Sequence, residues 1–195
     1  GVSPEDGISS TMVASIALSE IHKNGWFGKI VKNGKKGTSN IGYYGDKDGN
    51  CAGSSTNQVT NYVKINGESR SQNSQFVTRI SNQYKQSFIK AAEKVVDTNK
   101  NKSKIIFKNH IDYYPFNLKK NLEVVKFSTS ISKSIGFAGR TIACNGGLDA
   151  NWLIKKNIPT ITFGNGHYKP HSIGEYLIIS EFKDSCLFAI ALATA

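Results

Sequence analysis

The stretch Gln75-Phe76-Val77-Thr78-Arg79-Ile80-Ser81-Asn82-Gln83-Tyr84-Lys85-Gln86-Ser87-Phe88-Ile89-Lys90-Ala91-Ala92-Glu93-Lys94-Val95-Val96 decides the fold class. Its apolar residues Phe76, Ile80, Tyr84, Phe88, Ala91, Ala92 and Val95 recur at helical intervals, and Asn73 or Ser74 stands ready as N-cap. A helix with one apolar face must lie on something. Upstream, Ile8 to Asn24 repeats the pattern through Ile8, Met12, Val13, Ile16, Ala17 and Ile21, with Gly25 placed as a C-cap. Between the two helices, Gly34 and Gly37 punctuate the chain, and the β-branched and aromatic residues of Thr38 to Gly45 predict a strand. Asp46 to Asn50 reads as a turn and Val59 to Ser71 alternates as a second strand. Downstream, Asn99 to Lys102 reads as a turn, and Ile105 to Tyr114 alternates as a strand that ends at Pro115.

The order α-β-β-α-β lacks only a leading strand to become a βαββαβ ferredoxin-like sandwich, so a first strand is expected ahead of Gly1. Pro115 to Lys120 reads as a linker into a second unit. There Glu123 to Ile135 predicts a helix stopped by Gly136, Thr141 to Cys144 a strand, and Leu148 to Lys156 a helix. Thr160 to Phe163 predicts another strand and Ser180 to Ala193 a last helix. Two short strands and three helices cannot cover both faces of an α/β sheet, so the second unit reads as the closing part of a larger layer. The expectation is an α/β (α+β) chain with one domain over residues 1–115 and the end of another over 116–195.

Composition narrows the class. The 195 residues are 38% apolar, sufficient for a packed core. No apolar run approaches the roughly 18 residues of a membrane span. The opening Gly1-Val2-Ser3-Pro4-Glu5-Asp6-Gly7 has neither the basic nor the apolar region of a signal peptide. Cys51, Cys144 and Cys186 are odd in number and widely spaced, which argues against a disulfide framework and predicts a reducing, cytoplasmic setting. A net charge of +11 permits attraction to nucleic acid, but the lysines are scattered beside Asn and Gly without interleaved aromatics. Nucleic acid therefore ranks below a solvated basic surface.

Two local patterns carry chemistry. Gly146-Gly147-Leu148-Asp149-Ala150 follows a strand and opens a helix, either as an anion cradle of backbone N–H groups or as an ordinary turn with Asp149 as cap. His171 lies in the Gly- and Pro-containing loop from Gly164 to Gly174, with Glu175 four residues on. An imidazole there can ligate zinc, and a carboxylate such as Glu175 can orient the ring or hold the loop; a lone loop histidine is more often structural. His22 faces outward on its helix and His110 lies within a strand, so only His167 could add a second ligand. Cys144 is the alternative nucleophile, though a buried structural thiol is the commoner case. No nucleophile elbow, phosphate loop or dinucleotide fingerprint occurs.

Joined, Asn145-Gly146-Gly147-Leu148-Asp149-Ala150-Asn151, Ile158-Pro159-Thr160 with Phe163-Gly164, and His171-Ser172-Ile173-Gly174-Glu175-Tyr176 resemble the C-terminal signature of the peptidase T, aminoacylase and carboxypeptidase superfamily. The resemblance extends upstream to Gly1 through Ser10, to Thr56-Asn57-Gln58-Val59 and to Glu68-Ser69-Arg70. It implies that the first unit is the family's lid, or dimerisation, domain and that a zinc-dependent catalytic domain resumes after Pro115.

Carried over by position, the resemblance implies His171 as a metal ligand with Glu175 behind it. It implies Asn57 as the lid donor to the scissile carbonyl, across a homodimer in some relatives, Arg70 as a lid-strand arginine, and Gly146, Gly147 and Asp149 as the substrate-carboxylate loop. Asn151 stands where many relatives have Arg. The implied reaction is hydrolysis of a small peptide or N-acyl amino acid by water activated on two zinc ions, or on another divalent metal. The general base and remaining ligands would lie ahead of Gly1, so the chain by itself is expected to be inactive. The alternative is a ferredoxin-like dimerisation or interaction module without catalysis.

Overall fold

The first helix, α1 (Ser10–Lys23), starts where the Ser9 side chain accepts a hydrogen bond from the Met12 N–H. It stops at Gly25, whose φ of 66° lets the Gly25 N–H reach His22 and the Trp26 N–H reach the Ile21 carbonyl. This pair of bonds is a Schellman closure, and it turns Trp26 back onto Ile21 in the core. The computed structural model describes residues 1–49, 52–53, 55–144 and 146–195. Cys51, the Asn50 end of the expected turn and Asn145 of the glycine motif lie outside the described residues.

The chain divides into two compact units, Gly1–Pro115 and Phe116–Ala195. In the first, α1 is followed by β1 (Gly28–Lys32), β2 (Lys35–Gly45) and β3 (Lys64–Arg70), an antiparallel sheet in the order β1-β2-β3. Asn33 and Gly34, both at positive φ, join β1 to β2 as a two-residue hairpin that sets Lys32 opposite Lys35 and Ile30 opposite Gly37. β1 has no counterpart among the strands expected from the sequence, in which Gly34 stands only as punctuation. The strand expected from Val59 enters its ladder only at Lys64.

α2 (Ser74–Lys94) begins where Asn73 Oδ1 accepts from the Phe76 N–H at 2.9 Å. Ile21, Trp26, Ile30, Phe76, Ile80 and Tyr84 form one core cluster, and Val13, Ala17, Ala91 and Ala92 form a second. The early part of α1 thus meets the late part of α2, so the helices run antiparallel, with small residues at their contact. Phe76, Ile21, Ile30 and Ile80 are less than 2% exposed. Each contributes about 1.5–3 kcal/mol by burial, more than an exposed ion pair such as Glu68–Arg70, typically worth about 0–1 kcal/mol.

One polar group enters this core with its partners. The Ser39 hydroxyl donates to the Trp26 carbonyl at 2.6 Å, which leaves the Tyr84 hydroxyl to donate to Ser39 at 2.8 Å. Burial raises the Tyr84 pKa above its ordinary value, and the bond with Ser39 offsets part of that rise. After α2, Asp97 closes the predicted turn by accepting from both the backbone and the side chain of Asn101. Those two bonds, the side-chain one first, hold the Asp97 carboxyl below its usual range.

The strand expected over Ile105 to Tyr114 joins no ladder; the nearest pairing is a single bridge between Val96 and Lys102. In a βαββαβ order the last strand pairs with the first, and among the described residues no strand stands ahead of α1. An extended segment without a neighbour has nowhere to place its N–H groups as a strand. Ile105 still packs against the second core cluster, while Ile106 and Ile111 are exposed.

The second unit holds α3 (Glu123–Ser134), α4 (Asp149–Lys155), the two-stranded hairpin β4 (His167–Tyr168) and β5 (Tyr176–Leu177), and α5 (Ile179–Thr194). α3 ends in a second Schellman closure at Gly136, where the sequence placed its stop. The strands expected at Thr141 to Cys144 and Thr160 to Phe163 do not pair, for the same want of a neighbouring strand among the described residues. Part of the expected loop from Gly164 to Gly174 is instead one arm of the β4–β5 hairpin. Val125, Ser128, Ala150 and Asn151 are buried in this unit, and α5 has no buried residue. No helix of the described residues is long and apolar enough to cross a membrane.

Candidate functional site

Gly166 makes the hairpin possible. At its φ of 76° an added methyl group would meet Glu181 Cβ and the Ile178 carbonyl at 2.8 Å, so this backbone lies flush against the start of α5. The Ile178 N–H closes the base by donating to the Gly166 carbonyl. Next in the ladder, Tyr168 stands opposite Tyr176 with the rings stacked 5.3 Å apart, and the Tyr168 hydroxyl donates to the Glu181 carboxylate. That donation is the main cause of the raised Tyr168 pKa.

The loop from Lys169 to Glu175 carries His171 away from this base. His171 and Lys169 both have positive φ, 63° and 51°, on either side of Pro170. Histidine is among the side chains that tolerate this region, but it is seldom adopted without support. Support comes from Glu175. Its Oε2 accepts from the His171 backbone N–H at 2.8 Å, and its Oε1 accepts from His167 Nε2 at 2.8 Å. The His167 bond, followed by the His171 bond, holds the Glu175 carboxyl below its ordinary pKa, so it remains an acceptor.

Glu175 therefore holds the loop and binds the ring of His167; it does not bind the ring of His171, and His167 serves as its partner. The His171 ring is exposed and has no hydrogen-bond partner among the described residues. The sequence held a sign of this pairing in Gly166-His167-Tyr168 facing Glu175-Tyr176-Leu177, an aromatic pair beside a His–Glu pair. Without the hairpin register, that sign could not be read.

At the glycine motif, Gly146 is exposed and Gly147 half-buried, while Asp149 is the first residue of α4. The capping group is Asn151, not Asp149. Its side chain accepts from the Leu148 N–H at 2.8 Å, and Asn151 is 6% exposed. Asn151 is thus folded into the helix start. In the first unit, Asn57 is exposed and its side-chain oxygen accepts from the Ser55 hydroxyl. Its amide donors have no partner among the described residues. Arg70 ends β3, its guanidinium bonding both oxygens of Glu68 through Nε at 3.1 Å and Nη2 at 2.7 Å.

The candidate residues thus divide between the units: Asn57 and Arg70 in the first; Gly146, Gly147, Asp149, His171 and Glu175 in the second. Within the second, the structure brings together His167, His171 and Glu175. Among the described residues no group of three or more His, Cys, Asp or Glu could hold a metal ion. His171 meets what one ligand requires, an exposed and unengaged imidazole on a braced loop, and the rest of a donor set would have to come from outside the described residues. A surface hollow of about 240 Å³ beside Asn40, Gly42 and Glu68, and another of about 110 Å³ between α1 and α2, include none of the candidate residues.

No protein-family model matches the chain. Over 192 residues it is 26% identical to the uncharacterized protein YqjE of Bacillus subtilis (strain 168), a match covering 98% of this chain and 47% of that protein. The crystal structure of the aminopeptidase PepT of Bacillus cereus ATCC 10987 matches with a TM-score of 0.70 at 24% identity, over 98% of this chain and 46% of that one. That of a tripeptidase of Staphylococcus aureus subsp. aureus Mu50 matches with a TM-score of 0.69 at 22% identity, over 97% and 46%. The chain spans just under half the length of the relatives it matches. What it shares with the two solved structures at these identities is the fold, a mixed α/β architecture that matches just under half of each of those chains.

Proposed function

We propose that this chain is the lid and closing catalytic segment of a zinc-dependent peptidase or amide hydrolase acting on small peptides or N-acyl amino acids. The observation that carries the reading is the fold match to an aminopeptidase along 98% of the chain. It is joined by an exposed imidazole at the position where the sequence motif expects a metal ligand. Zinc, when bound, supplies Lewis-acid activation of water and of the scissile carbonyl. His171 would supply one ring nitrogen to hold it. Glu175 holds the His171 backbone in the conformation that presents that ring.

Asn57 offers its amide N–H groups to the carbonyl oxygen of the scissile bond, where charge develops; its side-chain oxygen is already engaged by Ser55. Gly146, Gly147 and Asp149 line the segment that receives the substrate's carboxylate end, through backbone N–H groups, because Asn151 is committed to its cap. Arg70, paired with Glu68, is the further substrate contact from the lid strand. The lid also serves as the dimer contact in this reading.

The test uses the protein as its gene encodes it, with tripeptides and N-acyl amino acids as substrates. Hydrolysis is expected to stop on chelation, return with zinc, and fall at least about 100-fold in His171→Ala, beyond what loss of an outer partner costs. Hydrolysis that survives both chelation and His171→Ala would overturn the zinc reading, and absence of hydrolysis by the intact zinc-loaded protein would favour the non-catalytic interaction module.

A further inference from the structure

Glu175 grips its own hairpin at two points, and each oxygen has a different task. Oε1 is tied to His167 at the base of the loop, and Oε2 is tied to the backbone of His171 near its far side. The base is anchored to α5 through Gly166 and the Tyr168–Glu181 bond. The far side is strained, since Lys169 and His171 both hold left-handed backbone around Pro170. Within the loop, Ser172 Oγ donates to the Lys169 carbonyl, and the Glu175 N–H to the Ser172 carbonyl. These bonds shape the turn. The path from the anchored base to residue 171 runs through the carboxylate, and a flexible Glu side chain holds one position only when its own partner is fixed.

We propose that His167 is a positioning residue: its imidazole holds the Glu175 carboxylate across the hairpin, and the carboxylate fixes the backbone from which the His171 ring reaches the metal. This rests on the zinc-hydrolase reading above. An outer partner of this kind maintains the orientation of a ligand and so its affinity for the ion.

The experiment compares wild type, His167→Ala, His167→Gln and His171→Ala in the intact protein, by zinc titration and by exchange of the His171 amide in the metal-free state. Far-UV circular dichroism checks that each variant is folded. In His167→Ala the His171 amide is expected to exchange about tenfold faster, the scale of one hydrogen bond to a charged group, and zinc affinity to fall about 10–100-fold. His167→Gln, which keeps a donor, restores both. If His167→Ala matches wild type in both readouts while His171→Ala loses zinc, the positioning role is wrong and the zinc reading stands. Failure of His167→Gln to rescue also overturns the positioning role, since the donor would not be what matters. If His171→Ala binds zinc as wild type does, the zinc reading falls and takes the positioning role with it.

Discussion

At Gly37 a methyl group would lie 2.8 Å from the Arg70 carbonyl oxygen and 2.9 Å from Ile80 Cδ1. The first of these neighbours is backbone and cannot step aside. Gly37→Ala is therefore expected to cost about 1–3 kcal/mol, whereas Gly42→Ala, with nothing within 4 Å, should change stability by no more than about 0.5 kcal/mol. Urea midpoints of the two variants measure the difference; equal midpoints would mean that α2 is not seated on β2 as described. The sequence marked Gly37 only as punctuation. Its meaning depends on Ile80, 43 positions later by their residue numbers, which no local reading can supply. His171 is the opposite case, since its place in a motif singled it out by type and spacing. The partner of Glu175 was not legible, because it follows from hairpin register.

Elements differ in how much of themselves they carry. The helices α1, α2 and α3 were legible because their hydrogen bonds are internal and their caps are local: Ser9, Asn73, Gly25 and Gly136 all act within a few residues. Strands need a neighbour. Ile105 to Tyr114, Thr141 to Cys144 and Thr160 to Phe163 have the composition of strands and no ladder. β1, in contrast, was available from Asn33-Gly34, a strong hairpin signal, and was missed because Gly28 to Lys32 is short and lysine-rich. The joint between elements is testable at Ser39, which ties β2 to both Trp26 and Tyr84. Ser39→Ala leaves a buried carbonyl and a buried phenol without their partner and is expected to cost about 1–3 kcal/mol, against about 0.5–1.5 for Tyr84→Phe. Because the two side chains share one bond, the double variant should lose less than the sum; additive losses in chemical denaturation would show that the bond contributes nothing.

On the scale of the molecule, the two units are unequal. The first has two clusters of buried side chains, while in the second α5 has no buried residue and Leu187 and Ile190 are exposed. Hydrogen exchange of this chain is expected to place the α1 and α2 amides in the slowest class and the α5 amides at least about 100-fold faster. Comparable protection in α5 would mean that its apolar side chains are covered. Amphipathic periodicity, capping residues and the spacing of the glycine and histidine motifs were set by the sequence alone, because each depends on residues close together in the chain. Strand pairing, the glycine contacts, the Ser39 bonds and the capture of Glu175 by His167 were decided only by tertiary structure. Each requires groups brought together by a register or a packed surface, and a linear reading contains neither distance nor direction.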